Sequence, residues 1–323
     1  MSATNLNDFR KPPSGCVLSV GNFDGVHAGH TAILSRARGL ADALHLPLIA
    51  LTFEPHPLVV VAPDRAPATL TPLDEKVSLL LEAGADQVVV ARSEPVLLEK
   101  SARAFIAEIV VGRLNARHVV EGRTFGFGAG RRGDVDLLAA LGPELGFVVV
   151  VVEPVCVALP SRETVQVSSS LIRRLLTEGA VEAAAACLNR TYVLSGQVGR
   201  GHGRGKALGF ATANLRCAGQ LIPGEGVYAG FGEVEGARRP AAISIGRTPT
   251  FGDNDVQVEA HLLDCREELL GRRLRLGLVA RLRDQRRFDS PAALAEQIAR
   301  DVEAVRKVAA EWESKCWVGT REG

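Results

Sequence analysis

The first half of the chain alternates short apolar runs with segments whose apolar residues recur every three or four positions. The apolar runs are CVLSV (16–20), LIALTF (48–53), QVVVA (87–91), HVVE (118–121) and FVVVVV (147–152). The segments between them, such as TAILSRARGLADAL, have the spacing of amphipathic helices. Strands that are apolar on both faces and alternate with helices predict a parallel sheet covered on both sides, in an α/β domain.

The pattern changes near residue 190. After the alanine-rich helical segment AVEAAAACLN, strand-like pieces follow one another: YVLSGQV, GVYAGFGEV, AAISIG, VQVEAHLLD and RLRLGLVARL. One long helical pattern follows them, with Asp289 or Ser290 as its cap and Pro291 in its first turn. These features predict an antiparallel barrel or sandwich with a helix packed against it, and a domain boundary near residues 186–190.

Composition and charge narrow the class of protein. The chain has 323 residues and a net charge of +1, so no global electrostatic attraction to nucleic acid or a membrane surface is expected. Its apolar run FVVVVV ends at Glu153, far short of the length that crosses a bilayer. The N-terminal residues lack the apolar region of a signal peptide, and the six cysteines have no metal-ligand spacing. We therefore expect reduced cysteines and a cytoplasmic location.

The stretch GNFDGVHAGH (21–30) lies between the first predicted strand and the first predicted helix. A glycine-rich turn before a helix offers free N–H groups, and the helix dipole adds positive potential, so such a turn can hold phosphate. His27 and His30 could then contact phosphate oxygens while charge develops during transfer at an α-phosphorus. The alternative is a tight strand–helix turn with His27 as a cap and His30 on the surface. The position of the motif favours phosphate binding.

A serine run provides a second candidate element. VSSSLIRRLL (167–176) places Ser168, Ser169 and Ser170 before an apolar helix that contains Arg173. The hydroxyl groups can cap the helix, and Arg173 can reach a phosphate from its first turn. Taken alone, the run could equally be a good helix cap and nothing more.

The second half has its own candidate chemistry. GHGRGKALGF (201–210) contains four glycines and three basic residues, which suits a backbone cradle for ATP phosphates. Thr212 and Asn214 offer neutral oxygens of the kind that Mg²⁺ accepts alongside phosphate and water. Glu259 lies on the face of VQVEAHLL opposite the valines and is either a solvent-facing strand residue or a catalytic group.

Several motifs together resemble those of the bacterial bifunctional riboflavin kinase/FAD synthetase family. In the first half they are GNFDGVHAGH, TFEPHP (52–57), EGRTFGFG (121–128) and VSSSLIR, and in the second GRGKALGFATANL (203–215), GVYAG (226–230), AAISIGRTPTFG (241–252) and VEAHLLD (258–264). The resemblance implies a Rossmann-like α/β nucleotidyltransferase domain over residues 1–186, with FMN adenylyltransferase activity. It also implies a riboflavin kinase domain over residues 187–323, built as a six-stranded antiparallel β-barrel with a terminal helix.

The resemblance further implies roles for individual residues. In the first domain it assigns the ATP phosphates to Asn22, Asp24, His27, His30, Ser169, Ser170 and Arg173, and the flavin to Phe125 and Phe127. In the second domain it assigns Mg-ATP to Gly209, Thr212 and Asn214, and makes Glu259 the base that takes the proton of the riboflavin 5′-hydroxyl. The expected substrates are riboflavin, FMN and ATP, with Mg²⁺ as the cofactor.

Three positions depart from the family pattern. Thr124 replaces an acidic residue, Ala211 replaces a proline, and Ser170 replaces a threonine. Two alternatives therefore stay open: a monofunctional riboflavin kinase with a decayed first domain, and a flavin-binding regulatory protein without turnover. The presence of a general base such as Glu259 argues against the regulatory protein, because binding alone needs no base.

Overall fold

The computed structural model describes residues 3–200, 212–247 and 256–318. The chain divides into two compact units. Unit 1 consists of Met1–Val157 and Thr164–Ser169, and unit 2 consists of Ala158–Glu163 and Ser170–Gly323. Among the described residues, no helix combines the length and the apolar character needed to cross a membrane.

The strands of unit 1 confirm the predicted parallel sheet. The first ten strands are β1 Thr4–Asn5, β2 Cys16–Val20, β3 Leu48–Glu54, β4 Gln87–Arg92, β5 Ala116–Gly122, β6 Gly126–Phe127, β7 Gly133–Asp134, β8 Val148–Val152, β9 Cys156–Ala158 and β10 Thr164–Gln166. Six of the described strands form one parallel sheet in the order β1-β4-β3-β2-β5-β8. All five predicted runs lie in it, and the short β1 adds an edge that the sequence did not predict.

Helices precede and follow these strands. They are α1 Ala28–Leu44, α2 Pro57–Val61, α3 Leu73–Glu82, α4 Pro95–Leu98, α5 Ala102–Ala104, α6 Val135–Leu145, α7 Ser169–Thr177 and α8 Val181–Leu188. A π-helical segment, Phe105–Arg113, continues α5. Val17 of β2 packs in a cluster with Ala37 and Ala41 of α1, whereas Leu18 packs in another cluster with Ile106. Burial of neighbouring strand residues on opposite faces explains why these strands are apolar throughout.

The order of the strands places a topological switch point beside β2. The chain runs from β2 through α1 to β3 on one side, and β5 lies on the other side of β2. Ligands of such sheets bind in the crevice outside the carboxyl ends of the strands at this point. Residues 21–30, called the histidine turn below, leave β2 there.

Unit 2 contains a closed antiparallel barrel with a terminal helix. Its described strands are β11 Tyr192–Gly199, β12 Ala213–Arg216, β13 Gly226–Val234, β14 Ala237–Arg247, β15 Val256–Leu262 and β16 Arg273–Arg283, in the order β11-β12-β15-β14-β13-β16. Helix α9, Pro291–Val318, follows them and is capped by Ser290, whose hydroxyl accepts the amide of Ala293. The resemblance implied six strands, but the pattern of apolar residues indicated only five. Strand β12 was missed because it has only four residues.

Candidate active sites

The glycines of the histidine turn meet two different geometric demands. Gly25 has a φ of 91°, a conformation that costs glycine little and other residues more. Gly29 has no unusual φ, but a Cβ there would lie 3.1 Å from Cε1 of His27. A side chain at position 29 would therefore displace the His27 ring.

His27 and His30 cap helix α1 reciprocally. Nδ1 of His27 accepts the amide of His30, and Nδ1 of His30 accepts the amide of His27, each at 3.4 Å. The two rings stack with their centroids 3.7 Å apart, and Phe23 meets the His30 ring edge-on at 5.2 Å. A neutral imidazole that accepts at Nδ1 carries its proton on Nε2. The cap therefore orients both rings so that Nε2 is the donor. The sequence left two interpretations, a helix cap at His27 and a pair of donors at His27 and His30. The structure is compatible with both at once.

The Asp24 carboxylate is engaged by the backbone. It is buried and accepts the amides of Leu70 and Thr71 at 2.9–3.1 Å. The Asp24 carbonyl accepts the hydroxyl of Ser169 at 2.8 Å. These bonds fix the histidine turn to the residues before α3 and to the start of α7, so they favour a positioning role for Asp24 over direct contact with a phosphate.

Asn22 makes a contact that the sequence did not suggest. Its Nδ2 lies 3.0 Å from Nε2 of His56, and its carbonyl accepts the hydroxyl of Thr52 at 3.2 Å. His56 belongs to the TFEPHP motif and caps α2 by accepting the amide of Leu58 at Nδ1. The motif identified the segment, but only the fold places His56 beside the histidine turn.

Lys76 is a buried cation near the same turn. Its Nζ lies 3.6 Å from the Glu54 carboxylate and donates to the Phe53 carbonyl at 3.4 Å. Burial lowers the pKa of Lys76, while Glu54 and, more weakly, Asp24 oppose that shift. Nothing in the sequence distinguished this lysine from a surface residue of α3.

The motif EGRTFGFG brings one buried carboxyl and two phenylalanines to unit 1. The Glu121 carboxyl is buried and accepts the amide of Val20, and its burial raises its pKa well above the ordinary range. The rings of Phe125 and Phe127 stack at 5.3 Å. Phe127 is buried in the core, whereas Phe125 is only partly buried. Of the two predicted flavin contacts, Phe125 therefore has the more accessible ring. Thr124, which replaces the acidic residue, is exposed.

The serine run starts helix α7. Ser169 belongs to unit 1 and reaches Asp24 through its hydroxyl, as described above. Ser170 and Arg173 belong to unit 2, where Ser170 is exposed and Arg173 is partly buried. The phosphate contacts expected of these residues stay predictions.

Asn214 and Glu259 are direct partners in the barrel. Asn214 of β12 pairs with Glu259 of β15, and Ser244 of β14 pairs with Glu259 from the other side. Their neighbours Ala213, Leu215, Val258 and Ala260 are buried, whereas the three polar residues are partly exposed. The outward row therefore contains an amide, a carboxylate and a hydroxyl. Directly opposed residues have Cβ atoms about 4.5–5.5 Å apart, so the amide and the carboxylate can act on the same ligand.

The residues around this row suit a magnesium nucleotide. Thr212 lies two residues before Asn214. The hydroxyl of Thr212 and the amide of Asn214 both offer oxygen, which Mg²⁺ prefers as a ligand. Across the described parts of the chain, no group of three or more His, Cys, Asp or Glu residues could hold a metal by itself. Thr212 and Asn214 offer one side-chain oxygen each, so a Mg²⁺ ion held by them would also need phosphate or water oxygens to reach its octahedral geometry. A cleft of about 640 Å³ opens beside Asn214, between Arg200, Arg216 and Gln257. Gly209 and Ala211 lie outside the described residues.

Two family models match successive parts of the chain. The model described as FAD synthetase matches residues 9–170, and the model described as riboflavin kinase matches residues 188–309. A solved structure from Streptococcus pneumoniae, described as a macrolide-efflux protein, is also similar over most of the chain. It has a TM-score of 0.82 and 25% identity, and the match covers 94% of this chain and 97% of that one.

Curated relatives match nearly the full length. A bifunctional riboflavin kinase/FMN adenylyltransferase of Escherichia coli K12 is 38% identical, covering 91% of this chain and 93% of the relative. Proteins of the same name from Pseudomonas fluorescens and Bacillus subtilis are 35% and 33% identical and cover 94% and 90% of this chain, and 96% and 92% of the respective relatives. The order of the two models, the parallel sheet followed by the closed barrel and these relatives lead to one conclusion: the chain belongs to the bifunctional riboflavin kinase/FMN adenylyltransferase family.

Proposed function

We propose that the two transferase activities of this family are divided between the units, with FMN adenylyltransferase in unit 1 and riboflavin kinase in unit 2. The substrates would be riboflavin, FMN and ATP. The observation that supports the proposal is that each unit has its own candidate site, and that the two sites contain different functional groups. Unit 1 has two oriented imidazoles at the switch point of a parallel sheet, and unit 2 has Asn214 opposite Glu259 on the barrel.

In unit 1 the chemistry would be transfer of an AMP group. A phosphate oxygen of FMN attacks the α-phosphorus of ATP, a new P–O–P bond forms, and the bond to the β-phosphate breaks to release pyrophosphate. The Nε2–H groups of His27 and His30 donate to oxygens that gain charge during the step. The loss of one such preorganised donor typically costs about 3–4 kcal/mol of transition-state stabilisation.

The other residues proposed for adenylyl transfer would bind or position the nucleotide. Asn22 lies at the start of the histidine turn, and Asp24 holds the turn in place through backbone amides. Ser169, Ser170 and Arg173 would approach the triphosphate from the start of α7. Phe125 and Phe127 would contribute to the flavin side of the site.

In unit 2 the chemistry would be phosphorylation of an alcohol. Glu259 takes the proton of the riboflavin 5′-hydroxyl, the oxygen attacks the γ-phosphorus of ATP, and ADP leaves. Mg²⁺ would be held by Thr212 and Asn214 together with phosphate oxygens. When bound, it neutralises charge on the phosphates. Gly209 would contribute to the ATP cradle.

Neither alternative explains both halves of the chain. A monofunctional kinase leaves the FAD synthetase match over residues 9–170 without a role, and a regulatory protein does not need two nucleotide sites. A cytoplasmic location, the absence of nucleic-acid and membrane partners, and the boundary between residues 186 and 187 stay predictions from the sequence.

The direct test is a time course with purified protein, riboflavin and Mg-ATP, in which FMN and FAD are resolved by chromatography. The proposed function predicts that FMN appears first and FAD follows. A preparation that makes FMN but no FAD from FMN and ATP would leave only the monofunctional kinase.

A further inference from the structure

The amide groups of β2 point alternately to the two neighbouring strands. Towards β3, the amide of Val17 donates to the carbonyl of Pro47, just before that strand, and the amide of Gly21 donates to the carbonyl of Leu51, each at 3.0 Å. The amide of Cys16 points to the opposite side and donates at 3.2 Å to the carbonyl of Asn115, just before β5. Val20 lies four residues after Cys16, so its amide points to the same side and faces β5.

Strand β5 meets this amide with a side chain. The backbone register between β2 and β5 ends at Leu18 and Val119. Beyond that pair, Oε1 of Glu121 accepts the amide of Val20 at 2.5 Å. A carboxyl group thus lies between the ends of the two strands at the switch point, where the backbone ladder would otherwise continue.

Glu121 occupies this place at an energetic cost. Only 3% of the residue is exposed, and no basic side chain in the described ranges forms an ion pair with it. A buried carboxyl without a cation is unfavourable, because it loses hydration and gains only the hydrogen bond of one amide. Local features that cost stability tend to lie at functional sites.

We propose that Glu121 is a positioning residue for adenylyl transfer, whose carboxyl fixes the amide of Val20 and thereby the point at which the histidine turn leaves β2. The inference rests on the proposed adenylyl transfer in unit 1. Glu121 lies one residue before the GRTFGFG stretch, and Val20 lies one residue before the histidine turn. This hydrogen bond therefore connects the residues from which the two segments start.

Two conservative variants separate the reach of the side chain from its ability to ionise. Glu121→Gln keeps an oxygen at the same distance from Val20 but cannot ionise. Glu121→Asp keeps a carboxyl group but is one methylene shorter, so its oxygen no longer reaches the amide. FAD formation from FMN and ATP is measured with each full-length protein as kcat and as KM for ATP, and FMN formation from riboflavin reports on unit 2 of the same preparation.

We expect Glu121→Gln to form FAD within about threefold of the parent, and Glu121→Asp to lose about tenfold or more in kcat/KM, the equivalent of about 1.4 kcal/mol. The loss should persist at temperatures well below the melting temperature of the variant, because displaced geometry affects molecules that are folded. Equal activity of all three proteins would overturn the inference. Loss in the glutamine variant, with or without loss in the aspartate variant, would also overturn it, because the carboxyl group itself would then be required. A parent that forms no FAD contradicts the proposed function instead.

Discussion

The imidazole rings of His27 and His30 lie face to face, with 3.7 Å between their centroids and 15° between their planes. The same two residues cap helix α1 through their Nδ1 atoms. One pair of side chains therefore starts the helix and presents two donors at the switch point. Removing either imidazole affects both roles, so a test of catalysis must separate them.

We expect His27→Ala and His30→Ala each to reduce FAD formation by about two to three decades and to leave FMN formation intact. The physical reason is the loss of a donor to the charge that develops at the transferred phosphate. The measurement is the initial rate of FAD formation from FMN and ATP. The variant His27→Asn should be equally impaired, although asparagine is a good helix cap.

The matched control for these variants is His45→Asn. His45 is the exposed left-handed C-cap of the same helix, a conformation that asparagine tolerates. It should form FAD at the parent rate. If His27→Asn restored the activity lost in His27→Ala, capping would be the whole role of His27.

Glu259→Gln should bind ATP and riboflavin but lose most FMN formation, because an amide cannot take the proton of the 5′-hydroxyl. The check combines binding by isothermal titration with the rate of FMN formation. Glu268→Gln makes the same chemical change at an exposed position after β15 and should leave the rate unchanged. Phosphorylation by Glu259→Gln at close to the parent rate would make Glu259 only an outward-facing strand residue.

The boundary predicted at residues 186–190 can be tested with fragments. It implies that a fragment starting at Ala186 folds and makes FMN. However, the longer segment of unit 2 begins at Ser170, and helices α7 and α8 bond to the rest of that segment. The amide of Gly224 donates to the carbonyl of Leu176 at 2.8 Å, and Glu182 accepts the amide of Arg281 at 2.9 Å. We therefore expect a fragment from Ser168 to make FMN and to melt higher than the fragment from Ala186.

The size of that difference follows from burial. Leu175, Leu176 and Val181 are buried, and burial of such side chains is worth about 1.5–3 kcal/mol each. The shorter fragment loses a large part of a typical stability of about 5–15 kcal/mol. Thermal unfolding of both fragments measures the effect. Equal melting temperatures would instead support a boundary near residue 186.

Glu121 should make the stability of unit 1 depend on pH. Burial raises the pKa of its carboxyl in the folded state, and the amide of Val20 only partly opposes this. The folded state then holds the proton more tightly than the unfolded state, whose glutamate pKa is about 4.3. The contribution of Glu121 to stability is therefore complete below that value and is lost as pH rises towards the raised pKa.

The pH dependence due to Glu121 can be isolated by comparing the parent with Glu121→Gln, whose side chain cannot titrate. We expect the melting temperature of the parent, relative to the variant, to fall between pH 5 and pH 8. A difference that stays constant over this range would mean that Glu121 has the same protonation state in both forms of the chain.

The sequence by itself determined the types of the main elements and much of the chemistry. Runs such as CVLSV, apolar on both faces, could be stable only in a sheet covered on both sides, and the alternation in VQVEAHLL put Glu259 on the face opposite the buried Val258 and Ala260. These are local properties, because the side-chain period of a strand or helix is fixed by its backbone. The motifs located both candidate sites for the same reason, since each is a continuous stretch of chain.

Only the tertiary structure decided which distant residues meet. No local pattern in the sequence indicates that Asn214 pairs with Glu259, that His56 lies beside Asn22, or that the Asp24 carboxylate accepts the amides of Leu70 and Thr71. Such contacts depend on strand order and register, which result from packing of the whole chain and not from any local pattern. Glu121 illustrates the limit: a glutamate at the end of a strand is unremarkable in the sequence, and its place between the ends of β2 and β5 exists only in the folded sheet.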